Sequence, residues 1–120
     1  MHLFTDISSH GFGHLAISAP VLNALARLQP DLRLTVRTGL PLDFLKTRIQ
    51  APFTHLPEAT DFGFVMRDAT CVDLEASARA YQAAHADRPA RLAAEARLLD
   101  SLRPDLVLSN ISDLPLAGAA

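Results

Sequence analysis

The chain has 120 residues, 49% of them hydrophobic, with 11 Lys+Arg against 13 Asp+Glu and a formal charge of −2. That charge balance gives no support to a nucleic-acid module or a polybasic membrane anchor, both of which need a basic excess. The single cysteine, Cys71, excludes a disulfide-stapled scaffold and a cysteine-based zinc site.

His2 to Ile7 is a short, mostly apolar run and reads as a buried strand. Ser8 to Gly13 follows as a polar loop with two glycines. Leu15, Ile17, Val21, Leu22, Leu25 and Leu28 then recur at helical spacing, which predicts a helix from about His14 to Gln29. Pro20 lies inside it and implies a kink or an irregular first turn. Leu32, Leu34 and Val36 alternate with Arg33, Thr35 and Arg37, the pattern of a half-buried strand. Thr38 to Pro41 marks a turn, Leu42 to Ile49 a short helix, and Phe53 to Leu56 a third strand.

Asp61 to Asp73 has no clear period and reads mostly as loop. Asp73 to Leu102 reads as two helices, with the break at Asp87 and Pro89. The arginines of this stretch are balanced by Asp87, Glu95 and Asp100, as on a solvated helix face. Asp105 to Ser109 reads as another buried strand, and a further helix begins near Ala117. This alternation predicts an α/β fold with a doubly wound, mostly parallel, Rossmann-like sheet. The strands His2–Ile7, Leu32–Arg37 and Asp105–Ser109 are expected to be parallel neighbours or near-neighbours. Four strands are few for such a domain, so the expectation is the N-terminal part of a longer protein. The first apolar run is interrupted by Asp6 and resembles no secretory signal. No run approaches the roughly 20 apolar residues of a membrane span, so cytoplasm is the expected location.

The segment Ser8-Ser9-His10-Gly11-Phe12-Gly13-His14 carries the most chemistry. It joins a strand to a helix, where an open α/β sheet places its ligand crevice. Gly11 and Gly13 let a ligand approach the backbone, and the free N–H groups of the helix start suit an anionic or hydroxyl-rich ligand. The plainer reading is a tight turn with no ligand. Gly11 to Ala16 also satisfies the dinucleotide fingerprint G-x-G-x-x-A. Against that stand the polar residues before Gly11 and the lack of a carboxylate at the end of the second strand. Arg37 there could meet a 2′-phosphate, which keeps an NADP-binding oxidoreductase as a minor alternative. His14, in the first turn of the helix, suits a neutral imidazole that accepts a proton from a hydroxyl. His10, across the glycines, suits substrate binding.

His10-Gly11-Phe12-Gly13-His14 and the run Val36 to Pro41 resemble the N-terminal domain of GT-B-fold glycosyltransferases. The tract with Asp61-Phe62-Gly63, Asp68-Ala69 and Val72-Asp73 adds to the likeness, as does Arg103 to Ser109. The nearest resemblance is to glycosyltransferase-like proteins of bacteria and to the N-terminal region of plant L-arabinokinase. It spans nearly the whole chain. The resemblance implies transfer of a sugar from a nucleotide sugar to an acceptor hydroxyl, with the donor held by a separate C-terminal domain. It gives His14 the role of general base and Asn110 the position of the aspartate that orients it. Asn110 can accept an imidazole N–H bond but cannot stabilise an imidazolium by charge. Asp113 lies near enough to stand in for it. His10, Gly11, Phe12, Gly13, Thr38, Gly39, Asp61 and Asp113 are the expected substrate contacts, and Asp68 and Asp73 are further candidates for the acceptor pocket. No metal and no bound cofactor is expected; the partners are a nucleotide-sugar donor and a sugar or small-molecule acceptor. A non-catalytic sugar-binding or regulatory module, fused to an enzyme such as a sugar kinase, is the alternative.

Overall fold

The computed structural model describes residues 1–120 and contains four strands and five helices. The strands are β1 (His2–Ile7), β2 (Arg33–Arg37), β3 (Thr54–Leu56) and β4 (Leu106–Asn110). They form one sheet in the order β3-β2-β1-β4, and every pairing is parallel. This is the Rossmann-like α/β architecture that the alternation of elements predicts. The first three strands run outward in one direction, and β4 is added on the other side of β1. The strand order therefore reverses between β1 and β4, and the crevice beyond their carboxyl ends is where such sheets bind ligands.

All six residues of β1 are buried, because β1 has a strand on each side and a layer on each face. Its two faces differ in chemistry. Leu3 and Ile7 join Leu34 and Val36 of β2 in an apolar cluster with Leu15, Ala19 and Leu22 of helix α1 (Gly13–Leu28). Leu45 of α2 (Leu42–Lys46) and Ile49 complete that layer. Helix α1 continues through Pro20, which lies on its exposed side. The carbonyl of Ala16, deprived of its partner there, belongs to an exposed residue, so the helix needs no break.

The opposite face is polar, and here the half-buried reading of β2 is corrected. The register pairs His2 with Arg33, Phe4 with Thr35 and Asp6 with Arg37, so these side chains share a face. Arg37 is 1% exposed and Asp6 1%. Arg37 Nε donates to Asp6 Oδ2 at 2.6 Å, and its two terminal nitrogens donate to Glu95 Oε2 and Oε1 at 2.7 and 2.6 Å. The guanidinium also lies 5.1 Å from the centre of the Phe4 ring. Glu95 belongs to α4 (Arg88–Leu102), which covers this face, and it is buried rather than part of a solvated helix surface. In a parallel sheet covered on both sides, alternation no longer separates inside from outside.

In the chain, β3 is followed by a tract that is loop apart from a Met66–Val72 antiparallel bridge, and then by α3 (Leu74–His85), which precedes α4. The two helices are separated near Asp87, as the sequence predicts. Helix α5 (Leu114–Gly118) begins three residues earlier than expected and packs on α4. A Cβ at Gly118 would lie 2.5 Å from Glu95 Cγ, so the missing side chain lets α5 close over the buried carboxylate. No helix is long and apolar enough to cross a membrane.

Candidate functional site

The carboxyl ends of β1 and β4 are joined by the Ser8 amide, which donates to the Asn110 carbonyl at 3.2 Å. Beyond that junction the chain turns twice through the left-handed region, at Gly11 with φ +83° and at Ile111 with φ +87°. Gly11 has no Cβ and adopts this freely; Ile111 is β-branched and does so under strain.

A cavity of about 350 Å³ opens at this place. It is lined by Ser8, His10, His14, Asp61, Phe62, Gly63, Phe64 and Ile111. His14, in the first turn of α1, is half-buried and contributes directly to the wall. Asp61 ties the loops together. Ser8 Oγ donates to Asp61 Oδ2 at 2.5 Å, and His10 Nε2 stands 3.8 Å from the same oxygen. The Asp61 side chain is only 7% exposed, yet its Oδ1 has no hydrogen-bond partner. A second cavity, of about 240 Å³, lies on the other side of Asp61, Phe62 and Ile111, and Arg88, Arg91, His85 and Asp113 also line it.

The tract bearing Asp61 is held from beneath by the buried ions. Thr60 Oγ1 donates to both oxygens of Asp6 at 2.9 Å, and Arg91 donates to the Thr60 carbonyl at 2.9 Å. Burial raises the Asp6 carboxyl above its ordinary range, more than the attraction of Arg37 and its hydrogen bonds lower it. Burial by itself would lower the Arg37 guanidinium, but hydrogen bonding and attraction from Glu95 and Asp6 outweigh it and raise it. This ionic network fixes the height of the Thr60–Asp61 segment above the sheet.

The expected site residues divide into four groups. His10, His14 and Asp61 meet at one cavity. Gly11, Phe12 and Gly13 form the turn behind it; Phe12 is exposed and packs on Phe44, with ring centres 4.3 Å apart. Thr38 and Gly39 support that turn from β2: the Gly39 amide donates to Ser9 Oγ at 2.7 Å, and Thr38 is fully buried. A Cβ on Gly39 would meet Ser9 Oγ at 2.8 Å.

Neither Asn110 nor Asp113 is bonded to His14. Asn110 Oδ1 is buried without a partner, and no hydrogen bond links it to the imidazole. Asp113 is bonded to Arg88, which holds its carboxyl below the usual range, and it lines only the second cavity. Asp68 and Asp73 are not in the crevice either. Asp68 closes a turn by accepting from the amides of Thr70 and Cys71, and Asp73 caps α3 by accepting from the Ala76 amide at 2.9 Å. Arg37, locked between two carboxylates, is not available to a 2′-phosphate, which removes the one group that favoured NADP. No cluster of three His, Cys, Asp or Glu side chains forms a metal-binding group. Ile111 and Phe64 are wall residues that sequence reasoning does not single out. Nothing in the sequence marks an isoleucine that will turn left-handed.

The sequence matches no protein-family profile and no curated protein. Among solved structures, the chain is similar to a UGT transferase from Siraitia grosvenorii in complex with UDP, with 20% identity and a TM-score of 0.42. The match covers 90% of this chain and 22% of that one, so the chain spans about a fifth of that structure's length.

Proposed function

We propose that this chain is the acceptor-binding part of a glycosyltransferase that moves a sugar from a nucleotide sugar to an acceptor hydroxyl. The observation that supports it best is the position of His14: a first-turn imidazole lining a cavity at the reversal point of a parallel sheet. In this reading His14 takes the proton of the acceptor hydroxyl. The oxygen bonds to the anomeric carbon of the donor sugar, and the nucleoside diphosphate leaves with the electrons of the broken bond. The donor would be held by a C-terminal domain that faces this crevice. Asn110 makes no hydrogen bond to His14, so in this reading the charge partner of an imidazolium is Asp61 on the same cavity wall.

The test is sugar transfer by the full-length protein from a panel of UDP-sugars to hydroxyl acceptors. His14→Ala is expected to lower kcat by about 10²–10⁴-fold, with little change in acceptor KM, because the proton moves only in the transition state. An active protein whose His14→Ala variant keeps full turnover would remove His14 from the mechanism. The second reading, a sugar-binding module without catalysis, is favoured by the absence of a hydrogen bond between Asn110 and His14. Binding of acceptor without transfer from any donor would support it.

A further inference from the structure

We infer that Gly63 is a positioning residue of the His14 cavity: having no side chain, it seats the imidazole of His10 in the cavity wall. The seating is a property of the chain itself; only its kinetic consequence rests on the transferase reading above.

Gly63 is a glycine that no turn requires. Gly11 is the one glycine in the left-handed region, so the backbone of Gly63 is open to other residues. What excludes a side chain there is His10. A Cβ on Gly63 would lie 2.2 Å from His10 Nδ1 and 2.5 Å from both Cε1 and Cγ. The nearest atoms all belong to one ring. Glycine without a positive φ permits close approach of another group, and here that group is an imidazole lining the cavity.

The tract that carries Gly63 is fixed on both sides. Thr60 Oγ1 donates to Asp6 beneath it, and the Val65 amide donates to Ser77 Oγ of α3 at 2.9 Å. The far side of the ring faces Asp61, with His10 Nε2 3.8 Å from Oδ2. That oxygen accepts from Ser8 Oγ, which in turn accepts from the His10 amide at 3.3 Å. His10 thus has a defined place, although its side chain is 44% exposed and lies outside the apolar core. The core gains nothing from this arrangement. The cavity gains a wall: an imidazole with access to solvent is held beside His14 instead. Because the tract is anchored and the ring has solvent to swing into, an added Cβ displaces the ring and spares the fold. His10 is the expected substrate contact and His14 the expected base, so the displacement acts on binding and not on proton transfer.

The test is Gly63→Ala in the full-length protein, beside His10→Ala and the double variant. In the wild type, a nuclear Overhauser contact should join the Hε1 proton of His10 to the Hα protons of Gly63. Diethyl pyrocarbonate, which acylates an uncharged imidazole nitrogen, should modify His10 at least threefold faster in Gly63→Ala, read by peptide mass. Tm should move by no more than a few degrees. In sugar transfer from UDP-sugars, Gly63→Ala should raise the acceptor KM at least fivefold with kcat nearly unchanged. His10→Ala should do the same and the double variant no more, since both changes remove one seated ring. A merely structural glycine would lower Tm equally with and without the His10 ring and leave KM alone. That pattern would overturn the inference, as would a missing Overhauser contact in the wild type or an unchanged rate of His10 modification in Gly63→Ala. An active protein whose acceptor KM ignores Gly63→Ala would refute this inference alone. A wild type that shows the contact and the faster modification in the variant, but transfers no sugar, would refute the transferase reading alone.

Discussion

Replacing Arg37 by methionine should be the most damaging single change away from the crevice. Arg37 makes three charge-assisted hydrogen bonds, of 2.6, 2.7 and 2.6 Å, to two carboxylates that are themselves buried. Methionine fills much of the volume but leaves Asp6 and Glu95 on the same side of the sheet with no cation between them. Removing one partner from a buried ionic group costs about 3–5 kcal/mol. That is a large share of the roughly 5–15 kcal/mol that holds a domain folded. It corresponds to a fall in Tm of about 10–20 °C for a chain of this size. Urea unfolding followed by far-ultraviolet circular dichroism gives the number directly, provided the slope with denaturant is unchanged. A companion variant, Asp6→Leu/Arg37→Met/Glu95→Leu, separates the pair from its burial. It should recover most of the loss, because no unpaired charge remains inside. A loss below about 1 kcal/mol for Arg37→Met, the size of an exposed ion pair, would refute the argument that the network is desolvated.

Two further perturbations test the electrostatics and the cap. Asp6 titrates higher in the folded chain than its ordinary 3.8, because it is buried. Its contribution to stability is therefore complete below that value and is lost as pH rises through the raised folded pKa. Asp6→Asn should flatten this part of the stability profile in urea titrations at stepped pH, and an unchanged slope would count against the assignment. Asp113 has the opposite sign. Its pKa is lowered by Arg88, so its contribution is present above 3.8 and is lost as pH falls through the depressed value. Asp73→Ala should release the N-terminus of α3, seen as faster hydrogen exchange at the Ala76 amide, while amides of β1 keep their protection.

The strands were legible because their residues are apolar and bounded by turns. β1 has the bounds its composition predicts, β2 and β3 each begin one residue later than expected, and β4 is shifted by one residue at both ends. The break between α3 and α4 follows from Asp87 and Pro89, and α2 stops at Lys46, short of the expected Ile49. What sequence could not convey was the second face of the sheet. Arg37 and Glu95 look like surface residues because single charges normally are; they are buried because they lie opposite each other after a separation of 58 residues. The same holds for the crevice. His10 and His14 announce themselves through the glycines between them. Asp61 looks like any loop carboxylate until Thr60 is seen bonded to Asp6 beneath it. Asn110, given by resemblance the position of the residue that orients His14, has a buried side-chain oxygen without a hydrogen-bond partner.

The separation of the buried ions also bears on the order of folding during synthesis. β1 and β2 can pair as soon as Arg37 has been made, with an apolar face ready for α1. The other face is not ready: Arg37 and Asp6 are present, but Glu95 and the helix that carries it are not. At about 5–20 residues per second, the 58 residues from Arg37 to Glu95 take roughly 3–12 s to appear. During that interval the nascent sheet must keep one side hydrated, and β4, which pairs with β1 only after Glu95 has been made, cannot yet close it. The central strand is thus made first and completed last. Its polar side chains keep it from presenting a sticky apolar surface while it waits.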